Sequence, residues 1–167
     1  ANFRFSGSIR GYAEGEAFFP HSPVLQVEAP FAEACVLETL LLSILNYDSA
    51  VASAASRMTG AANGRPCLEM GSRRAHERAA VAAARASVVA GFSGTSNLEA
   101  GRRYAVETIG TSAHAFTLLF DDEESAFRAQ LDSLGRGTTL LVDTYDVEQA
   151  VRRAVDLAGP ELGAVRL

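Results

Sequence analysis

The sequence predicts an α/β fold, and two observations carry this prediction. From residue 65 onward, short apolar segments alternate with helical segments, and strands separated by helices usually pair in parallel through right-handed crossovers. The tripeptide Gly-Thr-Ser follows two of the apolar segments, at Gly94–Ser96 and at Gly110–Ser112. Parallel strands present side chains and amides to ligands at such turns. The units are too few to close a (β/α)₈ barrel, so we expect part of one.

The opening part of the chain has a different pattern. Residues 1–30 hold two segments with strand character, Phe18–Pro20 and Pro23–Glu28, and a turn at Glu14–Glu16, which together predict a β-hairpin. A helix is predicted from residue 32 to 56, with leucines at helical spacing and few charges. We expect most faces of this helix to be buried. The predicted parts are a hairpin segment at 1–30, a helical region at 31–64 and a β/α portion at 65–167.

The remaining elements follow from the same patterns. Strands are predicted at 66–70, around Phe92, at 106–110, at 138–142 and from 164 onward, and helices at 75–90, 96–104, 122–134 and 147–158. The second of these helices opens on a capping box, Ser96–Glu99. Because the sequence stops within a predicted strand, we expect it to be a piece of a longer polypeptide.

Composition excludes several functions. The net charge of −5 gives no electrostatic case for a nucleic-acid partner. All fifteen basic residues are arginine, so no lysine serves as a Schiff base or phosphate-loop cation. Cys35 and Cys67 lack metal-ligand spacing, and we expect Cys35 in the core. No apolar run reaches the roughly twenty residues that span a membrane, and no signal peptide is evident. These observations predict a reducing, cytoplasmic location.

Polar residues follow the predicted strands where an α/β protein builds its site. They are Arg73 and Arg74, then Thr95, Ser96 and Asn97, then Thr111, Ser112 and His114, and finally Asp143. Arginines, glycine-rich turns and an acid suit an anionic, phosphate-bearing substrate. Structural roles remain open: Ser96 and Asn97, or Asp143 and Asp146, as helix caps, the arginines as a solvated pair, and His21 and His76 as structural residues.

Several motifs resemble the nicotinate phosphoribosyltransferase family in order and spacing. They are Glu69–His76, Gly94–Asn97, Gly110–Phe116 and Val142–Val147, and the resemblance extends over essentially the whole chain. It implies part of an irregular (β/α) barrel of the type II phosphoribosyltransferase kind, preceded by a β-hairpin and a long helix that belong to a second domain. The implied reaction joins nicotinate to phosphoribosyl pyrophosphate in NAD salvage, with ATP as co-substrate, Mg²⁺ as cofactor and a homodimer as the assembly.

The same resemblance implies roles for individual residues. His114 is the expected phosphohistidine, and Asp143 is the second expected catalytic residue, near the ribose or the metal-bound phosphates. The residues expected to bind substrate are Met70, Arg73, Ser96, Asn97, Thr111 and Arg166. Relatives more often have phenylalanine at Met70, where a thioether can contact the ring edge instead.

Ser96 bears on the choice of substrate. It stands where nicotinamide-using relatives have an aspartate, whose charge would repel the carboxylate of nicotinate, whereas a serine hydroxyl can donate to it. The alternatives are nicotinamide phosphoribosyltransferase and an inactive fragment or regulatory paralogue that keeps the fold. The chain alone is expected to be inactive, because much of the phosphate site should lie beyond Leu167.

Overall fold

The computed structural model describes residues 3–167 and divides into two compact units, one ending at Ile109 and one comprising Gly110–Leu167. The first unit contains β1 (Ser8–Gly11), β2 (Leu25–Glu28), α1 (Phe31–Ala62), β3 (Leu68–Glu69), α2 (Glu77–Val89), β4 (Gly94–Thr95) and α3 (Leu98–Tyr104). The second unit contains α4 (His114–Thr117), α5 (Glu123–Leu134), β5 (Thr139–Leu141), α6 (Val147–Ala158) and β6 (Ala164–Arg166). From β3 onward, helices separate the strands, and the strands pair in parallel, β3 with β4 and β5 with β6, which confirms the α/β class.

The predicted hairpin is present, with a different first strand. β1 and β2 pair antiparallel, with Ser8 opposite Glu28 and Gly11 opposite Leu25. The expected strand at Phe18–Pro20 is wrong, since these residues lie in the connection between β1 and β2. Pro20 lacks a backbone donor and restricts the residue before it, so an apolar pair beside it makes a poor strand.

Helix α1 is longer than predicted and far less buried. It runs from Phe31 to Ala62 and ends at Asn63, whose left-handed backbone places its amide on the carbonyl of Gly60. The expectation that most faces are buried is wrong: among the described residues of α1, Ala55 is the buried one. Cys35 is exposed as well, against the expected core position. The spacing of apolar residues identifies the apolar faces of a helix, but it does not show which other elements pack against those faces.

Two further observations concern α1. Its later part packs against α2, where the Tyr47 hydroxyl donates to the carbonyl of Ala79 and the Thr59 hydroxyl to that of Ala90. By length and composition alone, α1 could also cross a membrane, a test that core helices pass too. The expectation from the sequence concerned an uninterrupted apolar run, and polar residues such as Glu38 and Ser43 do interrupt α1, although its average hydropathy passes this test.

A short parallel strand pair organises the rest of the first unit. Glu69 of β3 lies opposite Thr95 of β4, and Thr95 also forms a parallel bridge with Thr108. The predicted strand around Phe92 is displaced to Gly94–Thr95, and the one at 106–110 is reduced to this bridge. Alanines on α2 and α3 allow close packing beneath the pair. The buried cluster there comprises Val81, Ala84 and Ala100, with Val106 packed against it.

The second unit follows the prediction more closely. β5 and β6 pair in parallel, with Thr139 opposite Ala164 and Leu141 opposite Arg166. Helices α5 and α6 begin on aspartate caps, Asp122 and Asp146, whose side chains accept backbone amide protons. Asp146 is thus a cap, one of the structural roles left open for it. The core beneath the strands comprises Phe127, Leu140, Val142, Ala150 and Ala154.

Candidate functional site

His114 and Asp143 form a pair in the second unit. His114 is the first residue of α4, and Asp143 follows β5. The His114 Nε2 atom lies 3.0 Å from Asp143 Oδ1, and the two side chains are 51% and 34% exposed. An ionised carboxylate only accepts hydrogen bonds, so in a neutral imidazole this contact assigns the proton to Nε2 and leaves the lone pair on Nδ1. The pair therefore presents an oriented, accessible imidazole nitrogen.

Thr111 and Arg166 form a second pair beside the same strand end. Arg166 is the last residue of β6, and its Nη1 donates to Thr111 Oγ1. Its carbonyl accepts from the amide of Val142, the residue before Asp143, at 3.0 Å. Within residues 3–167, the structure gives Arg166 no carboxylate partner. A half-buried guanidinium without a counter-ion is a good anion site.

The first unit holds a separate polar cluster at the ends of β3 and β4. Thr95 is fully buried and donates from Oγ1 to Glu69 Oε2 at 2.6 Å. The other carboxylate oxygen of Glu69 accepts from the amide of Gly71. Asn97 Nδ2 contacts Ser72 Oγ at 3.0 Å. These contacts tie the loop after β3 to the loop after β4.

The predicted substrate-binding residues of the first unit lie on these two loops. Met70 and Arg73 follow β3 and are exposed, with Arg73 on a 3₁₀ turn, Ser72–Arg74. Ser96 follows β4, and its amide donates to the carbonyl of Glu69 at 2.9 Å. The residue before Met70 therefore contacts Ser96 directly. Met70, Arg73 and Ser96 are exposed residues on the two loops that follow the paired strands β3 and β4.

In the structure, Ser96 is not the N-cap of α3. Asn97 is the N-cap of α3, and its Oδ1 accepts from the amide of Ala100 at 2.9 Å. The predicted capping box is wrong, because the N-cap of α3 is one residue later than expected, at Asn97 instead of Ser96. Glu99 instead pairs with Arg102 and Arg103, and hydrogen bonds from these arginines lower its pKa to about 2. The exposed hydroxyl of Ser96 makes no hydrogen bond to the part of the chain described.

The other candidate residues have simpler surroundings. His76 precedes α2 and lies 3.6 Å from the carboxylate of Glu77, and both side chains are exposed. His21 has a left-handed backbone with a φ of 70° in the hairpin connection. Across residues 3–167, no three acidic, histidine or cysteine side chains gather as a metal site would require.

Sequence reasoning missed Glu69 as a member of the site. It stood inside a motif that was noted, whereas its partner Thr95 was already among the polar residues expected there. The available signal was an acid at the end of an apolar strand, directly before a glycine turn. A carboxylate in that position is costly to bury unless neighbouring donors satisfy it.

Comparison with known proteins gives consistent results. No protein-family model matches the chain. Nicotinate phosphoribosyltransferase pncB1 of Mycobacterium tuberculosis is 62% identical over 173 residues, which cover 99% of this chain and 39% of that protein. The pncB2 protein of the same organism is 45% identical over 95% of this chain and 34% of its own length. The Bacillus subtilis nicotinate phosphoribosyltransferase is 44% identical over 80% of this chain and 27% of its own length.

Solved structures extend the similarity to the fold. Human nicotinic acid phosphoribosyltransferase matches with a TM-score of 0.82 and 30% identity, covering 98% of this chain and 44% of the human one. A nicotinate-nucleotide pyrophosphorylase from Pyrococcus furiosus matches with a TM-score of 0.90 and 31% identity, over 98% and 43% of the two chains. The chain spans about two fifths of the length of the pncB1 protein. By these matches, the chain belongs to the nicotinate phosphoribosyltransferase family.

Proposed function

We propose that the protein carrying this sequence is a nicotinate phosphoribosyltransferase. It joins nicotinate to phosphoribosyl pyrophosphate, forming nicotinate mononucleotide and pyrophosphate, and couples the reaction to hydrolysis of ATP. The observation that carries the proposal is the 62% identity to a relative of that name across 99% of this chain. In metabolic terms, the reaction is an entry step of NAD salvage.

The transfer step depends on positioning and charge. The pyridine nitrogen attacks the anomeric carbon of the ribose as pyrophosphate departs, so positive charge develops on the sugar and negative charge on the leaving group. No side-chain nucleophile is needed, and oriented cations and donors supply the stabilisation. Arg73 and Ser96 bind the nicotinate side, with Met70 against the ring and Asn97 beside it. Thr111 and Arg166 bind an anionic part of the substrate.

His114 serves the ATP step. Its neutral imidazole attacks the terminal phosphorus of ATP through the nitrogen that does not face Asp143, and ADP leaves. The hydrogen bond at 3.0 Å supports this assignment, because Asp143 orients the ring and stabilises the positive charge that the ring acquires. Hydrolysis of the phosphohistidine then returns the free imidazole and releases inorganic phosphate.

The proposal includes Mg²⁺. This ion is usually bound through one or two carboxylates together with substrate phosphates, and it would neutralise charge on pyrophosphate. Asp143 is a carboxylate that could serve it, since it is partly exposed and lies after a parallel strand, where phosphates are expected.

We propose further that the β/α units of the protein form part of an irregular barrel of the type II phosphoribosyltransferase kind. The hairpin and α1 then belong to a second domain. The protein is cytoplasmic and homodimeric. Both cysteines are free thiols, which suits a reducing compartment.

A direct assay tests the function. The intact protein is given nicotinate and phosphoribosyl pyrophosphate, with and without ATP, and nicotinamide replaces nicotinate in a parallel reaction. We expect nicotinate mononucleotide as the product, faster formation with ATP, and little product from nicotinamide. Preference for nicotinamide would support the related amide-using activity instead. No product from either base would identify a binding or regulatory protein that keeps the fold.

A further inference from the structure

Glu69 is a buried carboxylate for which the proposed reaction has no use. It is 8% exposed, at the end of β3, and both of its oxygens accept hydrogen bonds. Oε1 accepts from the amide of Gly71, and Oε2 accepts from Thr95 Oγ1 at 2.6 Å. Its main-chain carbonyl accepts from the amide of Ser96 at 2.9 Å. Glu69 thus holds groups on both loops.

Thr95 completes the arrangement through its own second contact. Its hydroxyl oxygen accepts from the amide of Asn97 at 3.0 Å, so the hydroxyl proton is free to point at Glu69. The Asn97 side chain then contacts Ser72 at 3.0 Å and closes the ring of contacts. We name this set of five residues the Glu69 clamp: Glu69, Gly71, Ser72, Thr95 and Asn97.

We propose that Glu69 is a positioning residue that fixes the loop carrying Arg73 relative to the loop carrying Ser96, and so sets the subsite for the nicotinate carboxylate. The inference rests on the proposed function. Glu69 is buried beneath the two loops and acts through the residues that it holds. Its role is to keep the guanidinium and the hydroxyl at the separation that one carboxylate group requires.

A carboxylate is the side chain that this position needs. Glutamine has a single acceptor oxygen, so Glu69→Gln leaves either the Gly71 amide or the Thr95 hydroxyl without an acceptor. Reversing the Thr95 hydroxyl bond does not repair this, because the hydroxyl proton then needs another acceptor. The clamp should therefore loosen on loss of one oxygen with almost no change in volume.

The test compares two buried glutamates in the full-length protein. Glu69→Gln is expected to raise the nicotinate KM about tenfold or more with a smaller change in kcat, since ground-state positioning is lost. Glu123→Gln is the matched control, because Glu123 is 2% exposed and pairs with Arg153 at 3.0 Å, remote in sequence from both loops. At equal loss of thermal stability, we expect its nicotinate KM to stay at the wild-type value.

A second set of variants guards against simple misfolding. Thr95→Val removes the hydroxyl with little change of shape and should raise the nicotinate KM as Glu69→Gln does. Thr95→Ser keeps the hydroxyl and should restore most of the affinity. Because both variants disturb the contact between Glu69 and Thr95, the double variant should be less impaired than the product of the single effects. An unchanged nicotinate KM in both Glu69→Gln and Thr95→Val would overturn the proposal.

Direct binding separates this inference from the proposed function. Calorimetry measures the Kd of nicotinate without turnover. We expect this Kd to rise in Glu69→Gln and to stay at the wild-type value in Glu123→Gln. Binding by the wild type without product formation would contradict the proposed function and leave the clamp testable through Kd. Equal Kd values in Glu69→Gln and the wild type would overturn the clamp whether or not the protein is an enzyme.

Discussion

The two candidate regions differ in how their charged groups are held. In the first unit, the carboxylate of Glu69 is buried and bonded on both oxygens, and the residues expected to meet substrate are carried on loops above it. In the second unit, His114 and Asp143 are themselves partly exposed and bonded to each other. In the first unit, the polar contacts hold two loops in place. In the second unit, the reactive side chains remain accessible to solvent.

This difference suggests separate tasks for the two regions. A group that must accept and release a phosphoryl cannot be enclosed by permanent hydrogen bonds, and an accessible imidazole fits that requirement. Selection between two similar bases needs fixed distances instead, which a satisfied buried network supplies. We therefore propose that the first unit determines the choice of base and that the second unit couples the reaction to ATP.

The largest expected effect is on phosphohistidine formation. In the full-length enzyme, His114→Ala should abolish incorporation of acid-labile phosphate from ATP and leave some uncoupled synthesis, because the transfer step needs no imidazole. His76→Ala is the control, since His76 is exposed and its ion-pair partner, Glu77, is exposed as well. Radiolabelled ATP provides the measurement. Undiminished labelling of His114→Ala would place the phosphoacceptor elsewhere.

Next in size is the loss of a cation in the second unit. Removing a desolvated, charge-assisted contact costs about 2–5 kcal/mol. Arg166→Ala should therefore lower kcat/KM by about a hundredfold or more while the protein stays folded. Arg152→Ala is the control, because Arg152 forms an exposed pair with Glu148 within α6. Steady-state kinetics provides the measurement. If kcat/KM of Arg166→Ala equals the wild-type value, Arg166 has a structural role and does not bind substrate.

A smaller effect is expected from a charge placed in the first unit. At an effective dielectric near 20, two like charges about 4 Å apart repel by roughly 4 kcal/mol, and solvent lowers this figure. Ser96→Asp should reduce nicotinate efficiency by about tenfold or more. Ser93→Asp adds the same charge at an exposed position before β4 and should have little effect. The ratio of nicotinate to nicotinamide efficiencies is the readout, and an unchanged ratio would contradict the assignment.

The smallest expected effect compares a helix cap in each unit. Asn97→Ala and Asp146→Ala each remove a side-chain acceptor for a backbone amide, which typically costs about 1 kcal/mol. The loss should be larger for Asn97, because it also contacts Ser72 across the clamp. Denaturant unfolding measures both. Equal losses in the free energy of unfolding would show that the contact with Ser72 adds no stability.

The sequence predicted the second unit better than the first for a physical reason. Helix α6 lies at Val147–Ala158 as expected, because an aspartate cap and an amphipathic pattern both mark it locally. Likewise, His114 and Asp143 were both expected to follow predicted strands, and the structure brings their side chains to 3.0 Å from each other. The cap, the helix and these positions depend on the short-range pattern of the sequence.

The errors arose where the outcome depended on distant partners. The leucine pattern of α1 predicted burial, yet Val36, Leu40, Leu42 and Ile44 are more than half exposed in the described structure. The burial of Glu69 depends on Thr95, which is 26 residues away and becomes its neighbour only when β3 and β4 pair. No local pattern reports such a contact. The sequence therefore located the loops of the candidate site and missed the residue that joins them.

The separation of tasks between the two units is tested most directly by one paired measurement in the full-length enzyme. Nicotinate selectivity and ATP hydrolysed per product are determined together for His114→Ala and Ser96→Asp. The account predicts that His114→Ala loses ATP coupling and keeps the wild-type preference for nicotinate over nicotinamide, while Ser96→Asp keeps the coupling ratio and loses the preference. If either variant changed both quantities to a similar extent, the assignment of separate tasks would be contradicted.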